Sequence, residues 1–337
     1  MTRRHNRDKR KLKGRVSMPA NHIPLIDFRA SDAAVLTELD YALSSVGFVM
    51  IKGHGIAPAL LKRMRQVTVD YFKRAHAIKL KDVITADNYR GYIPLGFFSP
   101  STAGSSPDNY EGYKLHLEIA EDDPIRRACS LYGPNRWPMN FAVMSTVVLA
   151  YWRACDRLGQ RLLSALATIM GVDAAWFLSL FNKPLTNMTL LHYPPQESKN
   201  RGFGIHPHKD TDALTLLAPD SVGGLQVRRR DEEEWLEVQA EDDALVVNVG
   251  DLLELWSGGY FVSTPHRVLN YSGAERYSFP YFMVPRFDVL VEPLIPVQPG
   301  FSRQPVPVGE VSAEVWRTNW LAAQPAGNDF DLGTLPH

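Results

Sequence analysis

Apolar and polar positions follow two rhythms along this chain, helical in the first half and strand-like in the second. Ile23-Pro24-Leu25-Ile26-Asp27-Phe28 alternates like a short edge strand, where proline interrupts no hydrogen-bond ladder. Residues 31–46 set Val35, Leu36, Leu39, Leu43 and Val46 at helical spacing behind Ser31, which fits an N-cap. Gly47-Phe48-Val49-Met50-Ile51 predicts a second strand, closed by Lys52-Gly53-His54-Gly55. A helix over 58–77 carries Leu60, Leu61, Met64, Val67, Tyr71 and Phe72 on one stripe. The longest helical pattern, 139–170, has little glycine and no proline, and its stripe from Val147 to Leu166 is broad enough to cover a sheet. Gly171 ends it.

From Asn187 the pattern shortens. Asn187-Met188-Thr189-Leu190-Leu191-His192-Tyr193 reads as a strand stopped by Pro194-Pro195. Residues 214–217, 223–227 and 245–251 read as further short strands broken by Gly and Asp turns, and Leu252-Leu253-Glu254-Leu255 is the one helical interruption before 291. Tyr110 to Ile119 alternates weakly, and a helix over 311–323 with Val315, Trp316, Trp320 and Leu321 closes the chain. Residues 90–107, rich in Gly, Pro, Ser and aromatics, predict a long loop. Its Tyr92, Phe97 and Phe98 either cover a substrate or seal the edge of the core. Helices first, many short strands second and a closing helix make an α+β chain around one sheet system, closed or doubled.

Composition narrows the function. The 337 residues carry a formal net charge of zero, so nucleic acid is not expected as the main partner. The first fifteen residues depart from that balance, with Arg3, Arg4, Arg7, Lys9, Arg10, Lys11, Lys13 and Arg15 against Asp8, and read as a solvated disordered tail. No apolar run long enough for a secretory signal or a bilayer span is present. The two cysteines, Cys129 and Cys155, match no zinc spacing and suit a reducing compartment, so the expected location is cytoplasmic. His54 and His76 have no partner at ligand spacing and read as structural or surface histidines.

The chemistry gathers between Arg201 and Arg286. His208 and Asp210, two apart, leave a strand from one face, and His266 follows in Ser263-Thr264-Pro265-His266-Arg267-Val268. Two imidazoles and one carboxylate on one face of a metal, with other positions open, is the donor set of non-haem Fe(II) oxygenases. Ten residues past His266, Arg276-Tyr277-Ser278 puts a cation and a hydroxyl on one strand face, suited to a dicarboxylate. A competing ligand set uses His206, also two residues from His208.

In these residues the chain resembles the isopenicillin N synthase-like group of Fe(II)/2-oxoglutarate dioxygenases. The motifs are His208-Lys209-Asp210, Thr215-Leu216-Leu217, Gly223-Gly224-Leu225-Gln226-Val227, Gly250-Asp251, Ser263 to Val268 and Arg276-Tyr277-Ser278. Upstream, residues 23–28, Gly47-Phe48, Gly53-His54-Gly55 and Tyr89-Arg90-Gly91-Tyr92 extend the likeness to about residues 21–290. The resemblance implies a double-stranded β-helix (jelly-roll) core, a helical N-terminal region and a C-terminal helix near the opening. It divides the chain into a basic tail (1–20), a mostly helical region (21–170), the jelly-roll core (171–300) and a C-terminal helix and tail (301–337). It further implies iron on His208, Asp210 and His266, leaving His206 as a pocket residue, and 2-oxoglutarate on Tyr193, Arg276 and Ser278, with O2 as oxidant. Lys209 stands where relatives usually carry Thr or Ser, Asp212 where Gly is common, and Leu191 where plant relatives often carry Asn.

The implied activity is oxidation of an unactivated C–H bond of a small molecule, with release of succinate and CO2. Hydroxylation is the expected outcome, with desaturation or cyclisation as alternatives. Lys209, His206, Asp212, Asn187 and Thr189, if they face inward, give a polar pocket mouth, which points to a polar substrate of specialised metabolism; Tyr92 and Phe97 complete the expected substrate contacts. No nucleic acid or membrane partner is expected, and the family's habit is a monomer. A 2-oxoglutarate-independent oxidase of the same fold and a non-catalytic ligand-binding relative are the alternatives, with a cupin-type isomerase or zinc hydrolase more distant.

Overall fold

The computed structural model describes residues 22–85, 88–98, 106–196, 202–230 and 232–322, with side chains to residue 315. The basic tail, the chain's last fifteen residues and the side chains of Trp316, Trp320 and Leu321 lie outside the described residues. The N-terminal elements are β1 (Leu25–Asp27), α1 (Asp32–Ser45), β2 (Phe48–Lys52), α2 (Pro58–Phe72), α3 (His76–Lys79), β3 (Gly91–Ile93) and β4 (Glu111–His116). Next come α4 (Ile125–Ala128), α5 (Ala142–Met170), α6 (Ala174–Ser179), β5 (Asn187–Tyr193), β6 (Ile205–His208), β7 (Leu214–Leu217), β8 (Leu225–Val227) and β9 (Leu236–Glu237). The chain finishes with β10 (Leu245–Val249), α7 (Asp251–Trp256), β11 (His266–Val268), β12 (Arg276–Ser278), β13 (Tyr281–Met283), β14 (Leu290–Val291), β15 (Val306–Pro307) and α8 (Val308–Ala322).

Two sheets face each other. The larger runs β1-β2-β10-β7-β13-β5-β4-β3, with β12 also paired to β5; the smaller runs β6-β11-β8-β9. This is the jelly-roll core with helices outside it. Strands from both halves of the sequence share the larger sheet, because β2 pairs antiparallel with β10 and β4 with β5. Alternation divides that sheet's two faces. Tyr113, Leu190, Leu216 and Val247 face outward into the core under α5, while Phe48, Leu191, Leu217 and Val246 face inward. Leu225, Val227 and Val268 of the smaller sheet complete the inner apolar cluster.

The 29-residue α5 buries the predicted stripe, with Val148, Leu162, Leu163 and Leu166 fully covered. Gly171 takes a left-handed conformation (φ 71°), and Val172 N–H donates to the Ala167 carbonyl at 3.0 Å, so the last turn's carbonyls are satisfied. The helix predicted over 58–77 breaks after Phe72. Lys79 turns back through α3 so that Nζ donates to the freed Phe72 carbonyl (3.1 Å) and to Glu111 (2.5 Å). The long loop predicted from Arg90 contains β3, which pairs with β4. Among the described residues no helix is long and apolar enough to cross a membrane.

Candidate active site

Antiparallel pairing of β6 and β11 sets His208 opposite His266, with ring centroids 4.2 Å apart. Asp210, just past β6, brings Oδ1 to 3.6 Å from His208 Nε2 and 3.5 Å from His266 Nε2. One ligand atom from each of the three lies within 4.8 Å of the others, and this is the metal-type cluster found among the described residues. Both rings are aimed by the backbone. His208 Nδ1 donates to the His206 carbonyl at 2.8 Å and His266 Nδ1 to the Thr264 carbonyl at 3.2 Å. A carbonyl can only accept, so each Nδ1 carries a proton and each Nε2 is the nitrogen turned towards Asp210. Phe48 meets the His266 ring edge-on at 5.5 Å and holds it from behind.

Asp210 is fixed from the larger sheet. Its Oδ2 accepts from Thr215 Oγ1 (2.6 Å) and Asn248 Nδ2 (2.8 Å), which leaves Oδ1 for the histidines. Burial opposes ionisation of this carboxyl, but the nearby His266 and His208 and the Thr215 hydroxyl hold it far below the usual carboxylate range. Burial, reinforced by His266, pushes His208 down to about 4, so its ring is neutral and ready to ligate near neutral pH. Asn248 and Thr215 sit directly opposite each other on β10 and β7. An Asn within an otherwise apolar strand was the available sequence signal for this support.

Deeper between the sheets, Arg276 lies on β12 beside Tyr193 of β5, its guanidinium 4.6 Å from the Tyr193 ring centroid. Nε donates to the Gly223 carbonyl at 2.7 Å, while Nη1 is buried with no hydrogen-bond partner among the described residues. Gly224, at φ 85°, packs so close to the Leu269 carbonyl that a side chain there would collide with it, which fixes the turn carrying that Gly223 carbonyl. Ser278 is buried two residues on, facing the same way as Arg276. Burial pushes the Tyr193 phenol up to about 12, so it remains a donor. A buried, incompletely satisfied guanidinium beside two hydroxyls fits a carboxylate-bearing cosubstrate. The two imidazole Nε2 atoms and the carboxylate equally fit Fe(II).

The expected substrate contacts divide. Asn187 faces inward and accepts from Lys114 Nζ at 2.7 Å. His206 stands at the rim, its Nδ1 bonded to Asp108 at 2.6 Å. Tyr92 is corrected: its register opposite Tyr113 turns it to the outer face, where its hydroxyl donates to Glu111 and its ring meets Tyr71. Phe97 also seals core rather than pocket, buried with Ile84, Tyr89 and Ile93. Lys209 alternates away from the ligands and reaches Glu254 (3.4 Å) and Asp251 (3.9 Å). Asp212 is buried behind the cluster, accepting from Thr215 at 2.9 Å and crowding Gly250, where any side chain would collide with it. Lys114 was missed, although its alternation with Gly112 and His116 in a weak strand pattern placed it on one face with them.

A jelly roll with a two-histidine, one-carboxylate cluster at its mouth and an arginine inside defines a mononuclear non-haem metal oxygenase. Comparison with known proteins agrees. Residues 185–285 match the 2OG-Fe(II) oxygenase superfamily, and residues 23–140 match the non-haem dioxygenase in morphine synthesis N-terminal family. A 2-oxoglutarate-Fe(II) type oxidoreductase of Aspergillus fumigatus is 33% identical over 73% of this chain and 75% of its own. A homoarginine-6-hydroxylase of Glycine max is 33% identical over 77% of this chain and 80% of its own. The crystal structure of a full-length Neurospora crassa protein in complex with alpha-ketoglutarate (2-oxoglutarate) and thymine superposes with a TM-score of 0.76 at 25% identity, covering 89% of this chain and 98% of that one. The chain belongs to the Fe(II)/2-oxoglutarate-dependent dioxygenases of the isopenicillin N synthase-like group. It is an oxidoreductase that uses Fe(II), 2-oxoglutarate and O2.

Proposed function

We propose that this enzyme oxidises an unactivated C–H bond of a small polar molecule of specialised metabolism, with hydroxylation as the outcome and succinate and CO2 as co-products. In this reading His208, Asp210 and His266 hold the iron, while Arg276, Ser278 and Tyr193 hold 2-oxoglutarate. The observation that carries it is the pairing of two features between the sheets: three convergent donor atoms, and an Arg276 Nη1 without a hydrogen-bond partner among the described residues. Iron with 2-oxoglutarate supplies the oxidising power from O2 that removes hydrogen from carbon. The chain's own groups do the rest. Carbonyls of residues 206 and 264 keep the imidazole lone pairs aimed, Thr215 and Asn248 orient Asp210, and Arg276 fixes the far carboxylate of the cosubstrate.

Inward-facing Asn187 and Thr189 support the polar substrate, as do relatives whose names specify homoarginine and whose structures hold thymine. Two free cysteines, one of them buried, support a cytoplasmic location. Boundaries near residues 20, 170 and 300 are proposed on the family resemblance, as is a monomer, and the even charge balance supports the absence of a nucleic-acid partner. The test is anaerobic titration of Fe(II)-loaded protein with 2-oxoglutarate, following the visible charge-transfer absorption, alongside His266→Ala and Arg276→Ala. Expected is a band in the wild type that both variants weaken. Bound iron without a band would overturn 2-oxoglutarate dependence in favour of the oxidase alternative, with Arg276 gripping a substrate carboxylate.

A further inference from the structure

The geometry points to Lys114 as the substrate anchor, holding the carboxylate of a small organic acid whose oxidised carbon lies over the His208, Asp210 and His266 cluster. This deepens the oxygenase reading and rests on it.

The placement comes from register. Asn248 pairs with Phe48 and with Thr215, Thr215 with Phe282, and Phe282 with Asn187. These residues therefore form one row across the inner face of the larger sheet. The metal cluster's supports occupy one part of the row and Asn187 the other, with Phe282 between them. Lys114, opposite Thr189 on the same face, donates to Asn187 Oδ1 at 2.7 Å and Thr189 Oγ1 at 3.1 Å, its Nζ 5.3 Å from the Phe282 ring centroid. Asn187 and Thr215 are two strand spacings apart, about 10 Å. A small molecule spans that distance with its carbon skeleton along Phe282.

The chemistry comes from what Lys114 lacks. An ammonium has three N–H donors, and two neutral acceptors take two of them. Among the described residues no carboxylate lies within ion-pair distance of Lys114, whereas Lys79, packed against this sheet's outer face, is paired with Glu111 at 2.5 Å. The acidic groups facing Lys114 are Asp210 and Asp212: Asp210 is engaged by Thr215, Asn248 and the histidines, while Asp212 accepts from Thr215 through Oδ2 and its Oδ1, buried without a hydrogen-bond partner among the described residues, lies beyond ion-pair distance of Lys114. Burial pushes Lys114 down to about 7, against the pull of Asp210 and Asp212, so an anion entering from outside would hold the proton on it and take its third N–H. Arg276 has the same character at the cosubstrate end, so the two ends of the space each offer one cation.

The test uses the full chain with Fe(II) and saturating 2-oxoglutarate, without O2. Phenylacetate, 4-phenylbutanoate, octanoate and N-acetylphenylalanine are each titrated against their methyl esters, by calorimetry and by displacement of the charge-transfer band. At least one acid is expected to bind about 10- to 100-fold more tightly than its ester, the range of a charge-assisted hydrogen bond. The preference is expected to vanish in Lys114→Met, with 2-oxoglutarate affinity retained, and to return in part in Lys114→Arg. The acid–ester comparison in the wild type needs no variant, so a poorly folding substitution does not protect the idea. No acid outbinding its ester, or a preference that survives in Lys114→Met, would overturn it; so would a Lys114→Met protein that loses 2-oxoglutarate but keeps the acids. A wild type that forms no band with 2-oxoglutarate is a different failure, since it removes the oxygenase reading and this assignment with it.

Discussion

Replacing Asn248 by Ala tests whether the carboxylate ligand is held by the sheet or by the metal alone. Asp210 Oδ2 has two donors, Thr215 Oγ1 at 2.6 Å and Asn248 Nδ2 at 2.8 Å. Thr215 has a single proton and lies within reach of Asp212 as well, at 2.9 Å, so its donation is shared between two carboxyls. Asn248 is then the uncontested donor. Its removal leaves a buried carboxylate one hydrogen bond short and free to rotate Oδ1 away from the histidines. A hydrogen bond to a charged group is worth about 1.5–3 kcal/mol, which is about 10- to 100-fold in iron affinity; loss of a partner that orients a metal ligand falls in the same range. The assay is anaerobic competition of Fe(II) against a colorimetric chelator, with urea unfolding of the metal-free protein to separate folding from affinity. An Asn248→Ala protein of unchanged iron affinity would falsify the claim that β10 orients Asp210.

Three further predictions test other parts of the structure. Arg276→Lys keeps the charge but loses the planar fork, and is expected to weaken 2-oxoglutarate about 30-fold or more, measured by the charge-transfer titration; equal affinity would mean that the cosubstrate carboxylate lies elsewhere. Lys79→Met leaves Glu111 buried with only His192 and Tyr92 as partners, and is expected to lower unfolding stability by about 3 kcal/mol in urea, near the low end for a broken buried pair. Burial works against protonation of His192, but Glu111 and Glu275 outweigh it and raise its pKa above the usual 6.5. Its contribution to stability is therefore complete below that value and lost as pH rises through the raised one, so the melting temperature should fall over that window and the fall should flatten in His192→Gln.

How much was legible in the sequence depended on whether a signal was local. The triad and Arg276 stand in short motifs whose spacing reports a strand face directly, and α5 announced itself by its long stripe. Tyr92 was misplaced because its motif says nothing of which sheet face it joins; pairing with Tyr113 decides that, and it turns the ring outward. Lys209 illustrates the reverse difficulty. Position between two ligands suggested the pocket, yet strand alternation sends the residue between two inward side chains outward, here to Glu254. Lys114 shares a face with Gly112 and His116 by alternation, but that alone does not say whether the face is enclosed. A lysine in a weak strand is ordinarily an exposed edge residue, and only pairing of β4 with β5 encloses it.

The same pairing explains why the site divides its tasks between sheets. The smaller sheet supplies the two imidazoles, each aimed by a carbonyl two residues before it, so their aim comes chiefly from local backbone. The larger sheet supplies Thr215 and Asn248, the Arg276 and Ser278 strand, and the Lys114 and Asn187 pair, all through side chains that alternate inward. Asp210 is the link, since its Oδ1 faces the histidines of one sheet and its Oδ2 is held by the other. A slip of one residue in the larger sheet would turn Thr215, Asn248 and Lys114 outward together while leaving both histidines in place. The two imidazoles are therefore the part of this site most tolerant of change in the larger sheet, while the orientation of Asp210 and the choice of substrate are the parts most exposed to it.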